Sequence, residues 1–369
     1  LEVGGQPEPT VEPQPVLQYA APGNNYRTGK FQVVEHWYNL WIAPPLANLP
    51  RQAPLRIAVG LTEQFKAPGP VVISTGPDVD MFHGVRVPAA DTAEVLIGQD
   101  IPYGGDLGYN EGLGTLRSFD ECQVQNYSER YVLAVAAWAL KKWPADPARV
   151  SSQTSLHFGM RHAELFRKVF SGPYGHDFDM KWNPGSGSLN SRLGPPTAKL
   201  PDGTRAWELY DLTACLRRNA GRDVPFFYGL SETGKDNGHG AEFGWQDDPK
   251  GLAALLDARQ PFIATWGGGH VSRTVHEFYQ RLRMDKSIPA FSNGSLDNNP
   301  GNGDPDDGDP WGAINAHLLW KYEDVVDEAG RWEMTVLLAP EAPAERCTVD
   351  VTPRHCAAFK PKVGEAFDW

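Results

Sequence analysis

Short runs of unbroken apolar residues, each closed by glycine or proline, recur along the first two thirds of the chain. "LRIAVGL" (Leu55–Leu61), "GPVVISTGP" (Gly69–Pro77) and "AEVLIGQD" (Ala93–Asp100) show no polar alternation. Such runs belong to strands covered on both faces. "KFQVVEHWYNLWIAP" (Lys30–Pro44) alternates and is rich in β formers, so it predicts a strand or hairpin arm. "RKVFSGPYG", "DVPFFYGL" and "PFIATWGGGH" predict further strands at Arg167–Gly175, Asp223–Leu230 and Pro261–His270.

Helical periods fill the intervals. Tyr131, Val132, Val135, Trp138 and Ala139 fall on one face, with Asn126 and Glu129 as a capping box before them and Pro144 and Pro147 as the stop. "RAWELYDLTACLRRNAG" (Arg205–Gly221), "PKGLAALLDARQ" (Pro249–Gln260) and "TVHEFYQRLRMD" (Thr274–Asp285) predict three more helices. Strand and helix alternate from about residue 55 to 285, which argues for an α/β fold with a mostly parallel sheet. From Ile288 the pattern changes. An acidic Gly/Pro-rich segment leads into "HLLWKYEDVV", "RWEMTVLL", "CTVDVTP" and "AAFKPKVGEAFDW", four short strand candidates that predict a small β-sandwich. The expected organisation is a Pro/Gly-rich tail over 1–25, an α/β domain over 26–286 and a β domain over 287–369.

Charge narrows the function. The net charge is −12 and no basic cluster exceeds Lys141–Lys142, so neither nucleic acid nor an anionic membrane is an expected partner. No apolar run approaches the ~20 residues of a spanning helix. Cys122, Cys215, Cys347 and Cys356 lack zinc spacing. Cys347 and Cys356 flank "TVDVTPRH", read as a hairpin that would bring them together, and Cys122 with Cys215 is the remaining pair; four buried free thiols are the other reading. An even cysteine count and the Pro-rich "GGQPEPTVEPQP" point to a secreted or periplasmic protein. The sequons at Asn126 and Asn293 matter only in a eukaryotic secretory route.

In an open parallel sheet, reactive groups gather at the carboxyl ends of strands. Three strand ends stand out, in an informative order. Val150–Ser155 comes first, then "YGLSETGKDNGHG" with Glu232 and Asp236, then "WGGGH" with His270. Nucleophile, acid, histidine is the chain order of one triad arrangement. With "DPARV", "RHAELFRKVFSG", "VPFFYGLSETGKDNG" and "ATWGGGH" in that order, residues 30–285 resemble the α/β-hydrolase family, and within it secreted esterases and polyester depolymerases.

The resemblance implies roles. His270 is the general base, Asp236 its orienting acid and Glu232 the alternative acid. The oxyanion donor comes from the loop after an earlier strand, where Pro77 has no N–H and Gly76 or Asp78 remains, with Phe82–Gly84 as another choice. The nucleophile is the difficulty, because no G-x-S-x-G occurs between Arg149 and His162. Those two residues stand thirteen apart, against about twenty in the family. Either an elbow's worth of residues is absent from the chain, or the elbow is shortened and Ser152 acts, or the serine is gone and the protein binds rather than cleaves. Ser151, Ser152 and Ser155 also suit an N-cap before Leu156.

Two further groups complete the candidates. Tyr103, Tyr109, Trp182, Trp245 and Trp266 sit at predicted loops or strand ends, where an aromatic lines a cleft or simply packs. Asp297, Asp304, Asp306, Asp307 and Asp309 form a carboxylate cluster that either wraps a structural Ca²⁺ or solvates a linker. Catalysis itself needs no cofactor. The expected activity is Ser-His-Asp acyl transfer on an ester, polymeric or small; a non-catalytic binder of the same fold is the alternative, and a peptidase ranks below both.

Overall fold

A computed structural model describes residues 12–23, 31–47, 54–76, 84–98, 107–171, 179, 187–230, 250–267, 273–303, 306, 308, 311–362 and 364–366. The chain divides into two compact units, residues 1–169 with 178–215 and residues 170–177 with 216–369.

The first unit is built on a sheet. Its strands are β1 (Val16–Pro22), β2 (Val33–Leu40), β3 (Leu55–Thr62), β4 (Gly69–Gly76), β5 (Ala93–Gly98), β8 (Ala145–Gln153) and β9 (Lys168–Ser171), whose last two residues belong to the second unit. They lie in the order β1-β2-β3-β5-β4-β8-β9. Pairing is antiparallel from β1 to β5 and parallel from β5 through β4 and β8 to β9. The short pair β6 (Tyr109–Asn110) and β7 (Val124–Gln125) precedes helix α1 (Tyr127–Lys142). Helix α2 (Leu156–Arg161) follows β8, and α3 (Gly187–Leu193) and α4 (Leu212–Arg218) come later.

Burial explains the apolar runs. Ile57, Val59, Val95 and Ile97 pack with Tyr131, Val132, Val135 and Ala136 of α1. Their strand neighbours Ala58 and Leu96 face the other way, onto Val33, Val85 and Val87. Successive residues of one strand thus meet two separate cores, which leaves no position for a polar alternation.

The second unit carries β10 (Phe226–Leu230), α5 (Lys250–Asp257), β11 (Phe262–Gly267), α6 (Arg273–Arg281), β12 (Ile288–Ser292) and β13 (Trp311–Ile314). β14 (Leu318–Trp320), β15 (Val326–Glu328), β16 (Arg331–Glu333), β17 (Val336–Leu338) and β18 (Asp350–Arg354) complete it. β10 and β11 are parallel, and β13 adds antiparallel to β11. The region after Ile288 is β-rich as expected. Besides β13, it forms the two-stranded ladders β12–β18, β14–β17 and β15–β16. Its core gathers Phe226, Tyr228, Ile263, Tyr279, Leu318 and Trp320, with the Tyr279 hydroxyl donating to the Leu318 carbonyl at 3.0 Å.

Four local expectations differ from the structure. Residues 16–22, read as tail, form the strand β1. The helix over Arg205–Gly221 is interrupted at Asp211, whose carboxylate accepts from the Ala214 amide at 2.8 Å and so starts α4 as a separate helix. The Cys347–Cys356 hairpin does not form, because β18 pairs with β12 instead. None of the four cysteines is disulfide-bonded, and Cys347 Sγ accepts from the Ser295 hydroxyl at 3.5 Å. Ala357–Phe359 make no strand, because their amides donate to the Asp327 carboxylate at 2.6–3.2 Å.

Candidate active site

The junction of β8 and α2 is the centre of interest. β8 lies between β4 and β9, with Ser152 in register with Ile73 on one side and Val169 on the other. Only Thr154 and Ser155 separate strand from helix. Ser155 caps α2, its hydroxyl accepting from the Phe158 amide at 3.2 Å. This is the structural role that a serine before an apolar helix start suggests.

Ser152 is fully buried. Its Oγ stands 2.7 Å from Thr154 Oγ1 and accepts from the Thr154 amide at 3.2 Å. Thr154 Oγ1 in turn donates to the Ser155 carbonyl at 3.2 Å. The proton between the two hydroxyls is therefore the one on Ser152. Helix α2 closes over this hydroxyl at Gly159, where an added Cβ would lie 2.9 Å from Ser152 Oγ.

Beside the junction sits a buried ionic network that was not anticipated from the sequence. The capping box expected of Asn126 and Glu129 forms only in part: Asn126 makes no side-chain cap to the helix backbone, but its Nδ2 donates to Glu129 Oε2 at 3.4 Å. Glu129 Oε1 accepts from Arg161 Nη2 at 3.1 Å and from His162 Nε2 at 2.7 Å. The second ring nitrogen of His162 faces Glu164 Oε1 at 2.7 Å. Both nitrogens face carboxylates, so both donate and the ring is an imidazolium. Burial opposes charge at His162, but the bonds to Glu129 and Glu164 outweigh it and raise its pKa. Burial likewise opposes charge at Glu129, but Arg161 and His162 prevail and hold its pKa down at about 2. His162 therefore serves as a cationic pin between α1 and α2.

A pH dependence follows. Glu129 is depressed from 4.5 to about 2, so its contribution of roughly 3 kcal/mol is present above 4.5 and lost as pH falls toward 2. His162 is raised above 6.5, so its contribution is full below 6.5 and lost as pH rises through the higher folded value. The network's own contribution, read from pH 3 to 9 as the urea midpoint of wild type minus that of the Glu129→Leu, Arg161→Met double variant, should therefore peak between about 4.5 and 6.5 and decline on both sides. A profile flat across both limbs would contradict the assigned charges.

The remaining candidates divide between the described residues and those outside them. Gly76 ends β4 and lies in register with Gly98 of β5. Trp266 is 5% exposed and donates Nε1–H to the Gly301 carbonyl at 3.1 Å, a packed position. Asp297 accepts from the Asn315 amide on both carboxylate oxygens at 3.2 and 3.3 Å, and burial raises its pKa to about 6. Asp306 is exposed. Among the described residues no three His, Cys, Asp or Glu converge as a metal site. Asp78, Tyr103, Trp182, Glu232, Asp236, Trp245, His270, Asp304, Asp307 and Asp309 lie outside the described residues. β10 ends at Leu230, just before Glu232 and Asp236, and β11 ends at Gly267, just before His270.

Counted from β2, the first unit runs first, second, fourth, third, fifth, sixth strand, with the second antiparallel to its neighbours. That is the strand order of the α/β-hydrolase fold, and β8, the fifth strand, is followed by the short turn into α2. Among solved structures the chain is similar to an S-formylglutathione hydrolase from Agrobacterium tumefaciens, at 15% identity over 68% of this chain and 90% of that one, TM-score 0.45. It is also similar to glucuronoyl esterases from Teredinibacter turnerae (15% identity, 69% of this chain and 68% of that one, TM-score 0.39) and Solibacter usitatus (11%, 69% and 75%, 0.41). No family model matches the chain, and no curated protein does.

Proposed function

We propose that this protein is a carboxylic ester hydrolase that works by serine acyl transfer. The observation that carries the reading is the β8–α2 junction, the strand-to-helix turn at which an α/β-hydrolase sheet holds its nucleophile. The chain order of the later strand ends supports it, with Glu232 and Asp236 after β10 and His270 after β11. In this reading the serine oxygen attacks the ester carbonyl while His270 takes its proton. His270 then returns that proton to the departing alkoxide, and water releases the acid by the same steps in reverse. Asp236, or Glu232 in its place, orients the imidazole and stabilises its cation. Gly76 or Asp78 donates to the oxyanion. Ser152 is the nucleophile assigned within the sequence, and it acts only if its bond to Thr154 opens.

Aromatic abundance and a net charge of −12 favour a neutral or polymeric ester. Export is part of the same reading, and among the described residues no helix is long and apolar enough to cross a membrane. Any Ca²⁺ at Asp297, Asp304, Asp306 and Asp309 would be structural.

A second reading has its own support. Ser152 is fully buried and its proton is engaged by Thr154, which suits a hydrolase scaffold that binds without cleaving. Intact mass before and after a fluorophosphonate probe separates the two. One stoichiometric adduct, absent in His270→Ala, is the expected result. No adduct on a folded chain of 40.7 kDa overturns the esterase reading.

A further inference from the structure

Two buried carboxylates meet at the base of the loop that leaves β4. Glu94 is 3% exposed and Glu35 is 7% exposed. Glu94 lies on β5, in register with Val72 of β4. One of its oxygens accepts from the Ser74 hydroxyl and the other from the Arg86 amide. Ser74 stands two residues before Gly76, on the outgoing leg of the loop; Arg86 stands on the returning leg, Gly84–Val87. A single carboxylate thus ties the two legs together. Glu35 reinforces the returning leg, because its Oε1 accepts from the Val85 amide at 3.2 Å and its Oε2 accepts from Trp37 Nε1 at 3.0 Å. The approach is close enough that a Cβ at Gly84, where φ is +95°, would fall 2.1 Å from Glu35 Oε1.

We propose that Glu94, with Glu35 beside it, is the positioning residue for Gly76, tying the end of β4 to the segment Gly84–Val87. The assignment rests on the esterase reading for its catalytic half. Its structural half stands on the hydrogen bonds alone. Burying two carboxyl groups side by side is costly, and burial raises the pKa of both, with their own hydrogen bonds offsetting only part. An apolar pair would fill the space without that cost, but could not accept the Val85 and Arg86 amides.

The two sites respond differently to glutamine. At Glu94 one partner is a hydroxyl, which donates or accepts, so an amide keeps both bonds by donating to Ser74 and accepting from Arg86. At Glu35 both partners are fixed N–H donors, so an amide must leave one unmet. Glu94→Gln is therefore the conservative variant and Glu35→Gln is not. Removing the competing donor with Trp37→Phe should restore the Val85 bond in Glu35→Gln.

Hydrogen-exchange mass spectrometry of the peptide spanning Gly84–Val87, with steady-state hydrolysis of p-nitrophenyl acetate, tests this. Glu94→Leu and the milder Ser74→Ala should speed exchange about tenfold or more, and Glu94→Leu should lower kcat about 100-fold with KM within about threefold. Glu94→Gln should stay within about threefold of wild type in both readouts, and Trp37→Phe should return the exchange of Glu35→Gln toward wild type. Unchanged exchange in both Glu94→Leu and Ser74→Ala overturns the proposal. Faster exchange with unchanged kcat overturns its catalytic half. A wild type that neither hydrolyses the ester nor takes the fluorophosphonate overturns the esterase reading, and exchange then decides by itself whether Glu94 ties Gly84–Val87 to β4.

Discussion

Glu129→Ala is expected to remove about 3–5 kcal/mol of folding stability, the largest effect of any single substitution considered for this chain. Glu129 is 1% exposed and Arg161 is 3% exposed, so neither charge has water to fall back on. Truncation removes the one carboxylate oxygen to which the Arg161 guanidinium and the His162 imidazolium both donate, while Glu164 still faces His162. Since domains are stable by about 5–15 kcal/mol, a loss of this size approaches unfolding. The cost comes from keeping two cations buried together without the Glu129 charge more than from the lost bond. Glu129→Leu combined with Arg161→Met should therefore cost less than Glu129→Ala alone. Urea denaturation at pH 5.5, inside the plateau, reads both. A Glu129→Ala loss below about 1 kcal/mol would show the network to be dispensable.

Gly312→Ala should cost roughly 2–4 kcal/mol through overpacking and one broken hydrogen bond. Gly312 lies opposite Trp266 in the β11–β13 ladder. An added Cβ would stand 2.3 Å from the indole Nε1 and Cε2 and 2.6 Å from the Gly301 carbonyl oxygen. The indole cannot swing aside without giving up its bond to that same carbonyl, and the carbonyl belongs to the backbone. Trp266→Leu should itself destabilise, yet it should cost less in the Gly312→Ala background than in wild type, because the collision is already relieved. Thermal melts of the two single variants and the double variant measure this coupling. Simple additivity would mean that the strand shifts instead of the ring.

The sequence exposed those parts of the fold that bury both faces of a strand. β3, β4 and β5 leave unbroken apolar runs because residues such as Ala58 and Leu96 meet one core while Ile57 and Val95 meet another. β1 left no such mark. Six of its seven residues are exposed and the seventh is only partly covered, so no burial imposes a pattern there. Side chains that intercept backbone donors were equally hidden. Asp211 restarts a helix within an unbroken helical period, and Asp327 takes the amides that a strand at Ala357–Phe359 would need. The candidate site was legible only as an order of strand ends. The Ser155 cap could be read from its place before Leu156, but the Glu129–Arg161 pair spans 32 residues and no local spacing announces it.

The division of the chain also bears on its birth at the ribosome. The second unit takes residues 170–177 from the middle of the first, then nothing until residue 216. Phe170 stacks edge-on against Tyr228 at 5.3 Å. At about 5–20 residues per second, translation brings Tyr228 out roughly 3–12 s after Phe170. During that interval the C-terminal half of β9 has no partner from its own unit, while the first unit is still receiving its last segment. The nascent chain thus carries Phe170 for several seconds before the ring it packs against has been made.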